Sequence, residues 1–291
     1  MKENLSIFTT FKIIMRQAEF SWRSGSDQIK IHGILWQPIE EPKAIIALVH
    51  GMGEHSGRYR KVAEFFANKG VAIMAFDQRG HGKTDGDRGH ISNFNQFLDG
   101  VEGLMDRVKL QFPNIPVFLY GHSLGGNVAI NYALKRPSGI KGLIITSPWL
   151  KLAFQPPPLK LKLAKIMFNL YPRFTQASKL NINHLSRSEA VVKAYQKDKL
   201  VHDKISASGF INIFNAGLYA IQHAKDLKMP TLLMHGTGDL VTDHKASEQF
   251  AEQSPLTTTL RLWTDAYHEL HNEPESEEVL TEIYNWMSKY I

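Results

Sequence analysis

Gly121-His122-Ser123-Leu124-Gly125 is a G-x-S-x-G pentapeptide that follows the apolar run PVFLY and precedes a segment rich in Ala, Val and Ile. A serine at the tip of a strand-to-helix turn takes a strained backbone conformation, and the residues two before and two after it must lack a side chain. Gly121 and Gly125 meet that need. Such a turn exposes the Ser123 hydroxyl and aims the next helix's N-terminus at it, so developing negative charge meets free N–H groups and a favourable dipole. The chemistry this suits is nucleophilic acyl transfer. A serine hydroxyl is a weak nucleophile at neutral pH, so it needs a base, which a carboxylate in turn orients.

For this type of turn the chain order is serine, acid, histidine. No Asp or Glu lies between Ser123 and Glu189. Asp239 directly follows the apolar run TLLMHG, at the carboxyl end of a strand, where catalytic groups of open α/β sheets gather. Its rivals fit less well: Asp243 reads as a helix N-cap, and Asp226 precedes the strand and lies at its wrong end. Of the 13 histidines only His244, His268 and His271 come after Asp239. His268 sits in a short loop after the strand-like TTLRLW and is the expected base, whereas His271, among Glu269 and Glu273, reads as an exposed residue at a helix start. The oxyanion needs two donors, which we assign to the backbone N–H groups of Met52, in the flexible His50-Gly51-Met52-Gly53 loop, and of Leu124. His50 is expected to brace that loop.

These residues need a scaffold that brings four loops together. Short apolar runs at 45–49, 71–76, 116–120, 143–146, 231–234 and 258–263 alternate with helix-period segments, the pattern of an α/β fold with a mostly parallel central sheet and crossover helices. Phe97, Leu98, Val101, Leu104, Met105 and Val108 mark the core face of one such helix. A charged, Gly-rich loop at 77–89 is long enough to be functional rather than a connector. The rhythm breaks over 149–225, where Pro156-Pro157-Pro158 leads into helix-like segments with no clear strand, and this stretch reads as a helical cap, or lid. The expected organisation is an N-terminal extension at 1–17, a core at 18–148 and 226–291, and the cap inserted between the two core halves.

The net charge of +6 over 291 residues is unevenly laid out. Residues 1–106 balance 13 Lys/Arg against 13 Asp/Glu, residues 107–188 hold 12 against none, and residues 189–291 hold 9 against 15. The basic block has no interleaved aromatic stacking platform, and half of it lies in predicted core elements, which argues against nucleic-acid binding. No apolar run approaches the ~18 residues of a spanning helix. Cysteine is absent, which excludes disulfides and a thiol nucleophile. Lys12 interrupts the N-terminal apolar run and Arg16-Gln17 closes it, unlike a signal peptide, so a cytoplasmic location is expected.

HGMGEHSGRY (50–59), DQRGHGKTDG (77–86), GHSLGG (121–126), HGTGD (235–239) and AYHELHNE (266–273) together resemble the monoacylglycerol lipase and lysophospholipase branch of the α/β-hydrolases. The resemblance runs from Phe20 to Ile291 in order and spacing. It implies a serine hydrolase of monoacylglycerols or related single-chain lipid esters, without metal or organic cofactor, and with a helical cap over an apolar acyl tunnel. It carries over Ser123, Asp239, His268 and the N–H groups of Met52 and Leu124, with Glu54, His55 and Arg58 stabilising the loop. Two other readings stand beside it: a lysophospholipase or short-chain carboxylesterase on the same triad, and a non-catalytic binding protein on the same fold. In the cap, Leu159, Leu161, Leu163, Ile166, Met167, Phe168 and Leu170 alternate with Lys160, Lys162 and Lys165, so residues 159–171 could meet an anionic membrane surface peripherally or pack on the core with solvated lysines.

Overall fold

The computed structural model describes residues 15–291 apart from 26 and 137–138. The chain opens with β1 (Met15–Arg23) and β2 (Lys30–Pro38), followed by β3 (Ala44–Val49), α1 (Arg60–Ala67), β4 (Val71–Phe76), α2 (Asn95–Gln111), β5 (Val117–His122), α3 (Leu124–Lys135) and β6 (Gly142–Thr146). Next come α4 (Pro158–Leu170), β7 (Thr175–Ala177), α5 (Glu189–Lys197), β8 (Lys204–Ser206) and α6 (Ala207–Gln222). The chain ends with β9 (Thr231–Gly236), α7 (His244–Gln253), β10 (Thr258–Trp263) and α8 (Ser276–Met287). Eight strands form one sheet in the order β1-β2-β4-β3-β5-β6-β9-β10. From β4 to β10 all neighbours are parallel, and β1 and β2 join as an antiparallel edge.

Alternation along the strands divides the core. Ala47, Val49, Leu119 and Ile145 face α2, α3, α6 and α7 through Leu98, Val101, Val128, Ile213 and Phe250. Ile46, Leu48, Phe118 and Ile144 face α1 and α8 through Val62, Phe66, Ile283 and Trp286. Every residue of β3 to β6 and β9 is buried, as strands covered on both faces must be. The parallel register sets Val49 opposite Gly121 and His122 opposite Thr146, so the carboxyl ends of β3, β5 and β6 finish at one level and their loops converge.

Two features differ from the sequence expectation. Met15–Gln17, assigned to the N-terminal extension, lie in β1, and the rest of that extension falls outside the described residues. The insertion at 149–225 is not wholly helical, because β7 and β8 pair antiparallel within it. Three-residue strands are too short for an alternation pattern to register. Among the described residues no helix is long and apolar enough to cross a membrane.

Helix α8 closes one face through Trp286, which is 4% exposed, meets the Phe118 ring edge-on at 6.2 Å and lies over Gly142, where a Cβ would come within 2.7 Å of the indole. Trp286→Ala is expected to cost about 3–5 kcal/mol of stability. Urea unfolding checks this, and a loss below about 1 kcal/mol would contradict the packing described.

Candidate active site

Ser123 follows β5 and stands at the N-cap position of α3 with φ 55° and ψ −117°, a left-handed conformation uncommon for a residue with a side chain. The flanking glycines are needed for space. A Cβ on Gly121 would lie 2.3 Å from the Gly125 carbonyl oxygen, and one on Gly125 would lie 2.0 Å from that of Val49. The Ser123 N–H donates to the Thr146 carbonyl at 3.0 Å, and its own carbonyl accepts from the N–H groups of Asn127 and Trp149. The turn is thereby fixed to β6, to α3 and to the start of the insertion.

The structure brings Ser123, His268 and Asp239 into one line. Ser123 Oγ lies 2.9 Å from His268 Nε2, and His268 Nδ1 lies 2.7 Å from Asp239 Oδ2. Asp239 Oδ2 also accepts from Thr242 Oγ1 at 2.8 Å and meets His235 Nε2 at 3.1 Å, while Oδ1 accepts from the N–H groups of Val241 and Thr242. Burial alone would raise the Asp239 pKa. The His268 charge and the bonds from His235 and His268 outweigh it and hold the carboxyl far below its usual range. With Asp239 ionised, His268 carries its proton on Nδ1 and presents Nε2 to the serine hydroxyl. Burial also works against charge on His268, but Asp239 outweighs it and raises the imidazole above its ordinary value. Asp243 stands at the N-cap of α7, accepting from Lys245 N, and Asp226 is at the opposite end of β9.

Gly51 packs against Ser123, since a Cβ there would lie 3.1 Å from Ser123 Cβ. Its N–H donates to Glu54 Oε1 at 2.6 Å. The Gln78 N–H donates to His50 Nε2 at 2.9 Å, so the His50 proton is on Nδ1 and goes to the Gly51 carbonyl at 2.7 Å. That carbonyl belongs to the same planar peptide unit as the Met52 N–H. His50 thus holds the unit from behind, and burial keeps its pKa low and the ring neutral.

Sequence reasoning missed a buried ionic cluster that ties this loop to the loop bearing His268. Arg58 donates to Glu54 Oε2 at 2.6 Å and to both oxygens of Glu269 at 2.7 Å, and Glu269 is the neighbour of His268. Burial would lower the Arg58 pKa and raise that of Glu269, but their mutual attraction prevails in both, so each stays charged. The motif GEHSGRY hints at Arg58 through its i, i+4 spacing from Glu54, but Glu269 lies 211 residues away. His271 is not an exposed helix-start residue. It is 3% exposed and stacks on Tyr59 at 4.7 Å, because the Arg58 cluster neutralises Glu269 and lets this turn sink into the core. His122 lies 4.9 Å from the rings of both His268 and His271, and burial, then those two rings, push its pKa well down. The 77–89 loop plays a supporting role. Asp77 accepts from Ser56 N, Ser56 Oγ and Lys83 N and pairs with His32, so it braces the 50–59 loop from below. Among the described residues no group of His, Asp or Glu is arranged to hold a metal ion.

The sequence profile of the family described as Serine aminopeptidase, S33 matches residues 40–275. The chain belongs to this family. An abhydrolase domain-containing protein of Dictyostelium discoideum is 38% identical over 259 residues, 88% of this chain but 27% of that protein's length. The monoglyceride lipase of Rattus norvegicus is 34% identical over 261 residues, covering 88% of this chain and 86% of the rat protein. The crystal structure of Paleococcus ferrophilus monoacylglycerol lipase superposes with a TM-score of 0.80 at 31% identity, covering 95% of this chain and 99% of that one. These relatives agree with the resemblance read from the motifs, and the fold is that of the α/β-hydrolases.

A base in this family's geometry must be neutral to accept a proton, so kcat/KM is expected to rise with pH through the His268 pKa. Because Asp239 raises that pKa, the acid limb in the wild type should lie above the ordinary imidazole value of about 6.5. Asp239→Asn should move the limb down and cut kcat by about 10⁴-fold. A pH–rate profile of both proteins on a soluble ester checks this, and a wild-type limb at or below the ordinary value would contradict it.

Proposed function

We propose that the protein is a serine hydrolase that cleaves monoacylglycerols to fatty acid and glycerol, with Ser123, His268 and Asp239 as its triad. The observation that carries the reading is the continuous relay from Ser123 Oγ to His268 to Asp239, at 2.9 and 2.7 Å. His268 takes the proton of Ser123 as Oγ attacks the ester carbonyl. The oxyanion rests on the N–H groups of Met52 and Leu124, of which the second belongs to the first turn of α3. His268 then protonates the departing glycerol, and water, activated by the same imidazole, releases the fatty acid. The rat and Paleococcus relatives, named for this activity, support the substrate class.

In this reading residues 149–225 are the cap over the acyl chain, and α4 is its membrane-facing part. Helix α4 buries none of its residues; Leu159, Leu163, Ile166 and Leu170 are exposed beside Lys160, Lys162 and Lys165. A contiguous apolar surface rimmed by lysines suits peripheral contact with an anionic lipid surface.

Three experiments test these readings. Ser123→Ala should abolish hydrolysis of monoacylglycerol and of a soluble acyl ester while leaving the unfolding transition in place; more than a trace of activity overturns the triad. A panel of monoacylglycerol, lysophosphatidylcholine and short aryl esters should show the first preferred, and a strong preference for short acyl groups would sink the lipid reading. For the cap, replacing Lys160, Lys162 and Lys165 with Gln should weaken sedimentation with phosphatidylserine vesicles by about tenfold or more. Unchanged binding would place the contact elsewhere.

A further inference from the structure

The bracing of the oxyanion loop does not end in the core. The His50 ring faces His81 at 5.4 Å between centroids, and His81 faces His202 at 4.7 Å. His202 belongs to the insertion, between α5 and β8. Its Nδ1 accepts from the Lys204 N–H at 3.2 Å and its Nε2 donates to the Gly80 carbonyl at 3.1 Å, so the ring is neutral with the proton on Nε2. Burial, reinforced by the nearby Arg88 charge, keeps it so, with a pKa pushed down to about 4.

The His202 backbone reaches the catalytic loop directly. Its N–H donates to the Gly53 carbonyl at 2.9 Å, and Gly53, at φ +76°, sits so close that a Cβ there would lie 2.3 Å from the His202 carbonyl oxygen. Four residues earlier, Asp198 Oδ2 accepts from His55 Nε2 at 2.8 Å. Residues 198–202 therefore lie along the loop at 53–55 and bond to it at both ends.

We propose that His202 is a positioning residue for the oxyanion hole, holding the Met52 N–H in register from the cap side. This inference rests on the serine-hydrolase reading above. The Met52 N–H shares its peptide unit with the Gly51 carbonyl, and the chain must be held on both sides of Met52 if that N–H is to stay aimed. On the amino side the core fixes Gly51, its carbonyl through His50 and its N–H through Glu54. On the carboxyl side the carbonyl of the next residue, Gly53, accepts from the His202 N–H, and the His202 side chain anchors that backbone by its bond to Gly80 and its tilted ring contact with His81. Removing the imidazole loosens the His202 end of the 198–202 segment, while the Asp198 end stays bonded to His55, and with it the hold on the carboxyl side of Met52. The donor remains but loses its aim, and oxyanion donors act by pre-set geometry. The cap is thus split in role: α4 packs on α6 with Leu159, Leu163, Ile166 and Leu170 exposed, while the 198–202 stretch completes the catalytic loop.

The test measures p-nitrophenyl butyrate kinetics, inhibition by an alkyl trifluoromethyl ketone and thermal unfolding for the full-length wild type, His202→Ala, His202→Leu and His202→Gln. The ketone adds to the serine hydroxyl, and its oxygen then occupies the oxyanion position. His202→Ala and His202→Leu should lower kcat about tenfold with KM nearly unchanged and weaken ketone binding by the same factor. His202→Gln, whose amide nitrogen can still donate to Gly80, should recover most of both. A purely structural role would lower the unfolding temperature without the matched loss of kcat and ketone affinity, and that result overturns the inference. Should the alanine variant not fold, the leucine variant, which keeps the bulk, decides the matter. Activity that survives Ser123→Ala would bring down the underlying reading and the inference with it; an inactive Ser123→Ala beside a wild-type-like His202→Leu would bring down the inference alone.

Discussion

The backbone of Ser123 is the constraint on which the rest of the site depends. A left-handed serine costs on the order of 1–3 kcal/mol and persists only where its surroundings over-determine it. Here they do. β5 is buried along its whole length, α3 starts at the next residue with ten of its side chains or glycines buried, and Ser123 itself bonds through both N–H and carbonyl. The two glycines leave no room for substitution, because each would drive a Cβ into a carbonyl oxygen. With Ser123 fixed this way, the loops at the ends of β3, β9 and β10 need only reach it.

Electrostatics sets His268 apart from the other buried histidines of the site. Burial pushes the pKa values of His50, His122 and His271 down, whereas Asp239 raises that of His268. Rings that stay neutral add no positive charge beside His268 when it takes the serine proton. The carboxylates follow a matching rule: Asp239 is met by hydroxyl, backbone and imidazole groups, and Glu54 and Glu269 share Arg58. Buried charges are tolerable only when paired and hydrogen-bonded in this way. The Arg58 cluster has a second effect, since it couples the loop bearing Met52 to the loop bearing His268.

Much of this was legible in the sequence where the signal was local. The central strands read as apolar runs because they are covered on both faces. Ser123 and Asp239 could be named because each lies beside the end of such a strand, and the absence of any carboxylate from 107 to 188 narrowed the search for the acid. The edge pair β1 and β2 escaped notice because β1 is largely exposed and mixes polar and aromatic residues. His271 was misread because neighbouring glutamates suggest solvent, whereas the distant Arg58 pairs with Glu269 and Arg187 pairs with Glu273, so both are buried. The role of His202 has no local signal at all: its partners Gly53 and Gly80 are separated from it by more than a hundred residues, and the contact exists only once the insertion folds back on the core.

The central claim is that one serine, Ser123, is made nucleophilic by its strained turn and by His268. Reaction of the folded full-length protein with an alkyl fluorophosphonate, followed by peptide mass mapping, tests it most directly. A single adduct on the peptide that carries Ser123, absent from the unfolded protein and from His268→Ala, is the expected result. An unmodified protein, or an adduct on a different serine, would contradict the account.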